Sequence, residues 1–244
     1  MNNHKKTDSR KNSLYLCAPV NALVEGIYEE NIPLSKIREH GDFGLGTFND
    51  LDGEMLMLDG TVYQIDGKGQ VNVVEDDVMT PFACVTFYSP LSEETIEGVM
   101  DYDTLLEWIS RLLPSPNIFY AIRIDGHFSH VRTRSVPKQE NYRPLVEVAQ
   151  EQPVFDFYNL EGTLAGFFTP SFMGSVNVPG IHLHFLSKDL KKGGHLLTCS
   201  PITLQIGVQF INALELSLPM TLDYLTWDLT RDVGKDLDRA EKEA

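Results

Sequence analysis

Apolar residues near the start of the chain first form a strand-like run and then follow a helical spacing. Residues 14–18 are almost wholly apolar and predict a short strand. Residues 19–30 predict a helix, because apolar and small residues recur three and four positions apart and Pro19 suits a first helical turn. Residues 34–39 predict a second, shorter helix that stops before Gly41.

The pattern changes to that of short strands between residues 43 and 74. The dipeptide Asp-Gly recurs there every seven residues, beginning at Asp52, Asp59 and Asp66. A seven-residue period is typical of a coiled coil, but Asp-Gly disfavours a helix and favours a hairpin turn. We therefore predict a meander of strands, with residues 55–58 and 61–65 between turns.

The middle of the chain mixes strand-like and helix-like patterns. Residues 85–88 predict a strand, and residues 93–100 predict a helix. Residues 103–113 predict a longer helix, because their apolar side chains make one stripe and Asp103 suits the N-terminal cap.

Strands dominate the second half of the predicted structure. Asp125-Gly126 predicts the turn of a hairpin, and apolar alternation predicts the strands around and after it. The predicted strands span residues 119–124, 128–135, 162–168, 180–187, 195–200 and 202–210.

The fold class predicted from these elements is α/β of the α+β type, with two β-rich subdomains. The N-terminal subdomain is a mixed sheet with helices, and the C-terminal subdomain is mainly β. The predicted divisions are a polar tail at 1–13, the first subdomain at 14–140, the second at 141–228 and a C-terminal tail at 229–244.

Charge and cysteine content exclude several classes of partner. The 244 residues include 35 acidic and 20 basic side chains, a formal net charge of −15, which argues against a nucleic-acid partner. No apolar run approaches a membrane span, and the polar first 13 residues lack the apolar core of a signal peptide. Three cysteines without a CxxC pair predict free thiols in a cytoplasmic protein.

Three of the seven histidines lie within fourteen residues of one another. His182 and His184 are two positions apart on a predicted strand, so their side chains share one face. The stretch Lys-Lys-Gly-Gly that follows predicts a turn, which would return His195 to their side. Three imidazoles are a typical set of ligands for Zn²⁺ or a similar divalent ion, and the open positions they leave indicate a catalytic site.

Less specific interpretations of these residues stay open at this point. The three histidines could be surface or hydrogen-bonded side chains, and the other four (His4, His40, His127 and His130) are predicted not to bind metal. Arg134 alternates with Arg132 and His130, as in an exposed ladder of cations. Glu54 follows a turn, where most glutamates are solvated.

Six short blocks, taken together and in order, resemble the acetolactate decarboxylase family. They are FGLGTF at 43–48, LDGEM at 51–55, YAIRIDG at 120–126, VRTRS at 131–135, GIHLHF at 180–185 and GGH at 193–195. The resemblance runs from Leu14 onward. It implies two α/β parts, a homodimer and a zinc-dependent conversion of the small molecule 2-acetolactate to acetoin and CO₂, without an organic cofactor.

The resemblance also implies roles for individual residues. Arg134 matches the active-site arginine, which could orient the substrate carboxylate or stabilise the charge that develops as CO₂ leaves. Glu54 matches an active-site glutamate, our candidate proton donor. The zinc ion would act as a Lewis acid that stabilises the enediolate left by CO₂. The implied zinc ligands are His182, His184 and His195.

Two further positions follow from the same resemblance. Thr47 matches a threonine that lines the substrate pocket. The C-terminal tail of the family brings a glutamate near the metal, and Glu241 fits best by spacing, with Glu243 as the alternative.

Two rival functions belong to other classes. One is a cupin-like metal oxygenase or isomerase, in which Asp189 would supply an acidic ligand, although no second cupin block is evident. The other is a non-catalytic β module that binds a metal or a small molecule with structural histidines.

Overall fold

Two β-sheets make up most of the chain in the computed structural model, which describes residues 12–242. A seven-stranded sheet and a five-stranded sheet pack against each other, with short helices at their margins. The strands are β1 Ser13–Leu16, β2 Phe43–Thr47, β3 Glu54–Leu58, β4 Thr61–Ile65, β5 Val71–Val73, β6 Ala83–Thr86, β7 Ser92–Glu97, β8 Phe119–Arg134, β9 Val154–Thr169, β10 Gly180–Ser187, β11 Gly193–Ile211 and β12 Ala213–Leu216.

The α-helices of this range are short. Only one of them, α3, exceeds nine residues. They are α1 Val20–Val24, α2 Leu34–Arg38, α3 Tyr102–Leu112, α4 Leu145–Ala149, α5 Leu222–Thr226 and α6 Gly234–Lys242. Together with the mixed sheets they give the predicted α+β fold class. None of the helices in residues 12–242 combines the length and the apolar character that a membrane span needs.

The first sheet has the strand order β12-β1-β6-β2-β3-β4-β5. Neighbouring strands are antiparallel except β1 and β12, which pair in parallel. Asp59 and Gly60 connect β3 to β4 with positive φ at both positions, the geometry of a tight hairpin turn. The predicted strands at 55–58 and 61–65 are therefore confirmed.

The second sheet has the order β10-β9-β8-β11-β7, and β10 pairs with β11 as well. This extra pairing closes β8, β9, β10 and β11 on one another. The predicted strand at 180–187 matches β10, because its alternation of apolar and polar residues is regular. The extra pairing brings the start of β11 beside the middle of β10, and this is where the histidines meet.

The first predicted helix is too long. The helix α1 ends at Val24 rather than at residue 30, because Gly26 adopts a φ of 90° that turns the chain out of the helix. Ile27 and Tyr28 beyond it are buried. The second predicted helix is confirmed by α2.

The helix predicted at 93–100 is wrong, because residues 93–97 belong to strand β7 and residues 98–100 are not helical. The strand pairs with residues 203–208 of β11, more than one hundred positions later in the sequence. Tertiary pairing has therefore overridden the local helical pattern. In the next element, α3, the N-terminal cap is Asp101 rather than Asp103: its side chain accepts a hydrogen bond of 2.9 Å from the Thr104 amide.

The predicted hairpin around Asp125-Gly126 is also wrong, because β8 runs straight through it. Asp125 accepts hydrogen bonds from Arg123 and Thr163. A Cβ at Gly126 would lie 2.5 Å from the carbonyl oxygen of Thr203. Glycine at this position therefore allows β11 to approach β8 closely. The strands predicted at 195–200 and 202–210 are likewise one strand, β11, with register shifts around Pro201.

The two sheets take strands from both sides of residue 140. Strand β12 joins the N-terminal sheet, and β7 and β8 join the second sheet. The division of the chain into subdomains at residue 140 stays a prediction.

The largest apolar core lies between the two sheets and fixes their relative position. Leu45 and Leu56 from the first sheet join Phe167 and Leu186 from the second in one buried cluster. All three cysteines are buried and free, as predicted. Because β3 and β10 face each other across this core, their polar residues meet in a buried place.

Gly166 on β9 permits β10 to approach, and this leads to a prediction. A Cβ at Gly166 would overlap the carbonyl oxygen of His182. We expect Gly166→Ala to lower the free energy of unfolding by about 1–3 kcal/mol, the usual cost of overpacking. Denaturant titration measures this. Gly234→Ala is the control, because its Cβ meets only the Asp232 side chain at 3.2 Å, and an equal loss in both variants would contradict the prediction.

Candidate metal centre and active site

The three clustered histidines lie on the paired strands β10 and β11. His184 is directly opposite His195 in the register, and His182 is two positions earlier on the same face of β10. One nitrogen from each ring lies within 4.8 Å of the others. The other described histidines, His40, His127 and His130, are outside this group, and His4 lies outside the described residues.

Backbone carbonyls orient two of the three imidazole rings. Nδ1 of His184 donates to the carbonyl oxygen of Met55 at 2.9 Å, and Nε2 of His195 donates to that of Glu241 at 3.1 Å. A carbonyl only accepts, so these bonds fix the proton positions. They leave Nε2 of His184 and Nδ1 of His195 with free lone pairs, the latter facing Nε2 of His182.

The spacing of two of the donor nitrogens suits a tetrahedral metal ion. Nε2 of His182 lies 3.1 Å from Nδ1 of His195. Nitrogen ligands at the usual Zn–N length are about 3.3 Å apart in a tetrahedron. The carbonyl bonds to His184 and His195 are the outer partners that commonly orient metal-binding histidines. The three residues therefore fit a divalent metal ion.

Burial keeps the three imidazoles neutral. It lowers the pKa of His182 to about 3, with the nearby Arg134 charge as a second cause. The pKa values of His184 and His195 are also far below the ordinary value, again chiefly through burial. A neutral imidazole is the form that binds a metal ion.

Two carboxylates approach the histidines from different elements. Glu54 at the start of β3 places Oε2 3.5 Å from Nε2 of His184. Glu241 on α6 places Oε2 3.5 Å from His182 and 3.6 Å from His195. Burial, and then repulsion from Glu241, raises the pKa of Glu54 to about 8, while Arg134 acts to lower it.

The guanidinium of Arg134 is buried beside the histidines. Arg134 ends β8 directly opposite His195 and is 3% exposed. Its Nη2 donates to the carbonyl oxygen of Ala240 on α6. The side chain of Arg132, two positions earlier, is 48% exposed. An exposed ladder of cations therefore does not describe Arg134.

Seven of the residues singled out in the sequence line one cavity of about 50 Å³. They are Thr47, Glu54, Arg134, His182, His184, His195 and Glu241. Thr47 lies in its wall and donates from Oγ1 to the carbonyl oxygen of Gly53 at 2.8 Å. Glu241 is the tail glutamate in the cavity, and Glu243 lies outside the described residues. Asp189 is elsewhere, in the turn after β10, where it accepts a hydrogen bond from Ser187.

Several parts of the cavity have no signal in the sequence. Its apolar walls come from α1, α4 and the loops beside β2 and β8, and Gln152 adds a polar side chain. The sequence also does not show which backbone carbonyls, such as that of Met55, accept hydrogen bonds from the histidines. The apolar lining residues include Leu23, Leu51, Phe82, Val136 and Leu145.

The fold and this cavity define a class of α+β protein in which three histidines that could hold a metal ion lie beside two carboxyl groups and a buried guanidinium. The family model for alpha-acetolactate decarboxylase matches residues 14–231. The chain belongs to the alpha-acetolactate decarboxylase family, whose members are carboxy-lyases.

Individual relatives agree with this assignment over most of the chain. The alpha-acetolactate decarboxylase of Brevibacillus brevis is 38% identical over 96% of this chain and 82% of its own length. The alpha-acetolactate decarboxylase of Methanosarcina mazei is 39% identical over 94% of this chain and 80% of its own length. The crystal structure of the Bacillus subtilis strain 168 enzyme superposes with a TM-score of 0.92 at 36% identity, covering 95% of this chain and all of that one. The predicted family is confirmed.

Removal of one imidazole tests the metal centre. We expect His182→Ala to weaken Zn²⁺ binding by more than about 100-fold, beyond what loss of an outer partner causes. His182 suits this test because its ring contacts the other histidines rather than a backbone carbonyl. Competition with a chromophoric chelator measures the affinity. His130→Ala is the control, and unchanged affinity in a folded His182→Ala protein would contradict the assignment.

Proposed function

We propose that this protein converts 2-acetolactate to acetoin and CO₂ in a zinc-dependent reaction. One observation carries the proposal: three neutral imidazoles, a buried guanidinium and two carboxylates line the same small cavity. The substrate is a small anion with a hydroxyl, a ketone and a carboxylate. Each of these groups has a complementary group among the cavity residues.

Arg134 binds and orients the substrate carboxylate. A guanidinium keeps its proton and can hold a carboxylate with two parallel hydrogen bonds. Its hydrogen bond to the Ala240 carbonyl limits its motion, because one end of the planar group is held by α6. The carboxylate that leaves as CO₂ would therefore be held in one orientation while the adjacent carbon–carbon bond breaks.

The histidines His182, His184 and His195 hold the metal ion. When bound, zinc supplies Lewis-acid chemistry, drawing electron density from the ketone and hydroxyl oxygens of the substrate. The carbonyls of Met55 and Glu241 keep two of the rings turned toward that position. The substrate's own ketone accepts the electron pair that CO₂ leaves, so no organic cofactor is needed.

A glutamate then returns a proton to the carbon that lost CO₂. Glu54, on the first sheet, is the proposed donor. Its carboxyl lies beside His184 of the second sheet and shares the cavity with Arg134. Glu241 lies against the other two histidines and is the second carboxyl within reach. Thr47 forms part of the wall that fixes the position of the substrate.

Assembly and location are part of the same proposal. The protein acts as a cytoplasmic homodimer without nucleic-acid or membrane partners. Family resemblance and free buried cysteines support this.

The direct test is turnover of racemic 2-acetolactate. We expect acetoin release by metal-loaded protein, loss of release after chelation and its return with Zn²⁺. Turnover without O₂ separates this reaction from that of a cupin-like oxygenase. Metal-loaded protein that releases no acetoin above the spontaneous rate would overturn the proposal.

Arg134 can be tested separately from the metal. We expect Arg134→Lys to bind Zn²⁺ normally and to lose about 100-fold or more in kcat/KM, the scale of a lost preorganised donor. Arg132→Lys on the same strand is the matched control, because its side chain is half exposed. Steady-state kinetics measure both variants. A kcat/KM within twofold of the parent protein would exclude the guanidinium from substrate binding.

A further inference from the structure

The last helix of the described chain completes the active site from outside the two sheets. Helix α6 follows a long segment that returns from β12. Near its end, the Ala240 carbonyl accepts from Arg134 and the Glu241 carbonyl accepts from His195. The Glu241 carboxylate also lies against His182. The position of α6 therefore decides where two carbonyls and one carboxylate of the site lie.

Helix α6 depends on contacts with the rest of the protein. It has nine residues, most of them charged or polar, and isolated helices shorter than ~12–15 residues are marginal in water. Leu237 and Ala240 on the helix, with Val233 just before it, are buried in the largest apolar cluster, and α6 packs there against α4. Three buried apolar side chains are a small docking face, and polar contacts fix the helix as well.

An arginine before α6 joins the helix to the wall of the cavity. Nε of Arg231 donates to Oε1 of Glu25 at 2.7 Å, and Nη1 donates to Oδ2 of Asp236 on α6 at 2.5 Å. Nε1 of Trp227 donates to the other oxygen of Glu25 at 3.4 Å. Glu25 caps α1, and Leu23 on that helix lines the cavity. We call Glu25, Arg231 and Asp236 the clasp.

We propose that Arg231 is a positioning residue, which through the clasp ties α6 to the C-terminal end of α1 and so keeps Glu241 at His182 and His195. The proposal rests on the proposed function only for its kinetic consequence. Helix docking and metal affinity depend on the clasp whichever reaction the site performs.

The clasp differs from an ordinary surface ion pair. An isolated exposed pair contributes little, because solvent screens it and both side chains lose entropy. Arg231 is itself half exposed, at 50%, but it bridges two carboxylates whose side chains are only 13% (Glu25) and 23% (Asp236) exposed. One planar guanidinium therefore links elements more than two hundred residues apart in sequence. Its loss would release α6 without removing any group that touches the substrate.

The test replaces Arg231 and follows the helix directly. In Arg231→Gln we expect faster amide hydrogen exchange in residues 234–242 and a kcat about tenfold lower with little change in KM. Zn²⁺ affinity should also fall about tenfold, because Glu241, the outer partner of His182 and His195, would no longer be held in place. Arg231→Lys should recover part of each loss. The control is Arg111→Gln on α3, which removes one exposed ion pair with Glu107.

A second variant separates the clasp from general destabilisation. Glu25→Gln should reproduce the Arg231→Gln effects, and the double variant should be no worse than either single one. Unchanged exchange in α6, or additive losses in the double variant, would overturn the proposal. Absence of acetoin from the parent protein would instead overturn the proposed function, and the exchange and Zn²⁺ measurements would still test the clasp.

Discussion

The contact between His184 and the carbonyl of Met55 is the interaction on which the site depends. His184 lies on the second sheet and Met55 on the first, so this hydrogen bond exists only when the sheets pack in one relative position. The same packing brings Glu54, the neighbour of Met55, to the imidazole edge. One apolar core therefore determines the tautomer of a metal-binding ring and the place of a carboxyl group at once.

Charge balance connects the metal ion to the substrate. Arg134 brings one positive charge, and Glu54 and Glu241 bring up to two negative charges, in a place that excludes most water. Such groups are costly to bury unless their charges are compensated. With a divalent cation bound, the net charge of these groups would be positive, and the negative charge of the substrate would neutralise it. With a net charge of −15, the protein as a whole repels anions, so attraction must come from these local cations.

The sequence predicted the parts of the structure whose signals are local. Regular alternation located β10, and the shared face of His182 and His184 followed from it. The helix predicted at β7 failed because its partner strand is distant in sequence. The turn predicted at Gly126 is wrong because the sequence does not distinguish a glycine that permits close strand approach from a glycine that forms a turn. Glu241 and Arg134 could be assigned only by family resemblance, since nothing local to them marks a buried environment.

The pairing of His184 with His195 has a consequence for how the chain folds. Side chains alternate on a strand, so a slip of one residue between β10 and β11 would turn His195 to the opposite face and leave two imidazoles. The strand β11 already contains register shifts against β8 around Pro201. An ion that needs three nitrogens binds only the correctly aligned form and stabilises it by mass action. Metal binding would thus shift the equilibrium between strand alignments toward the native register of β10 and β11.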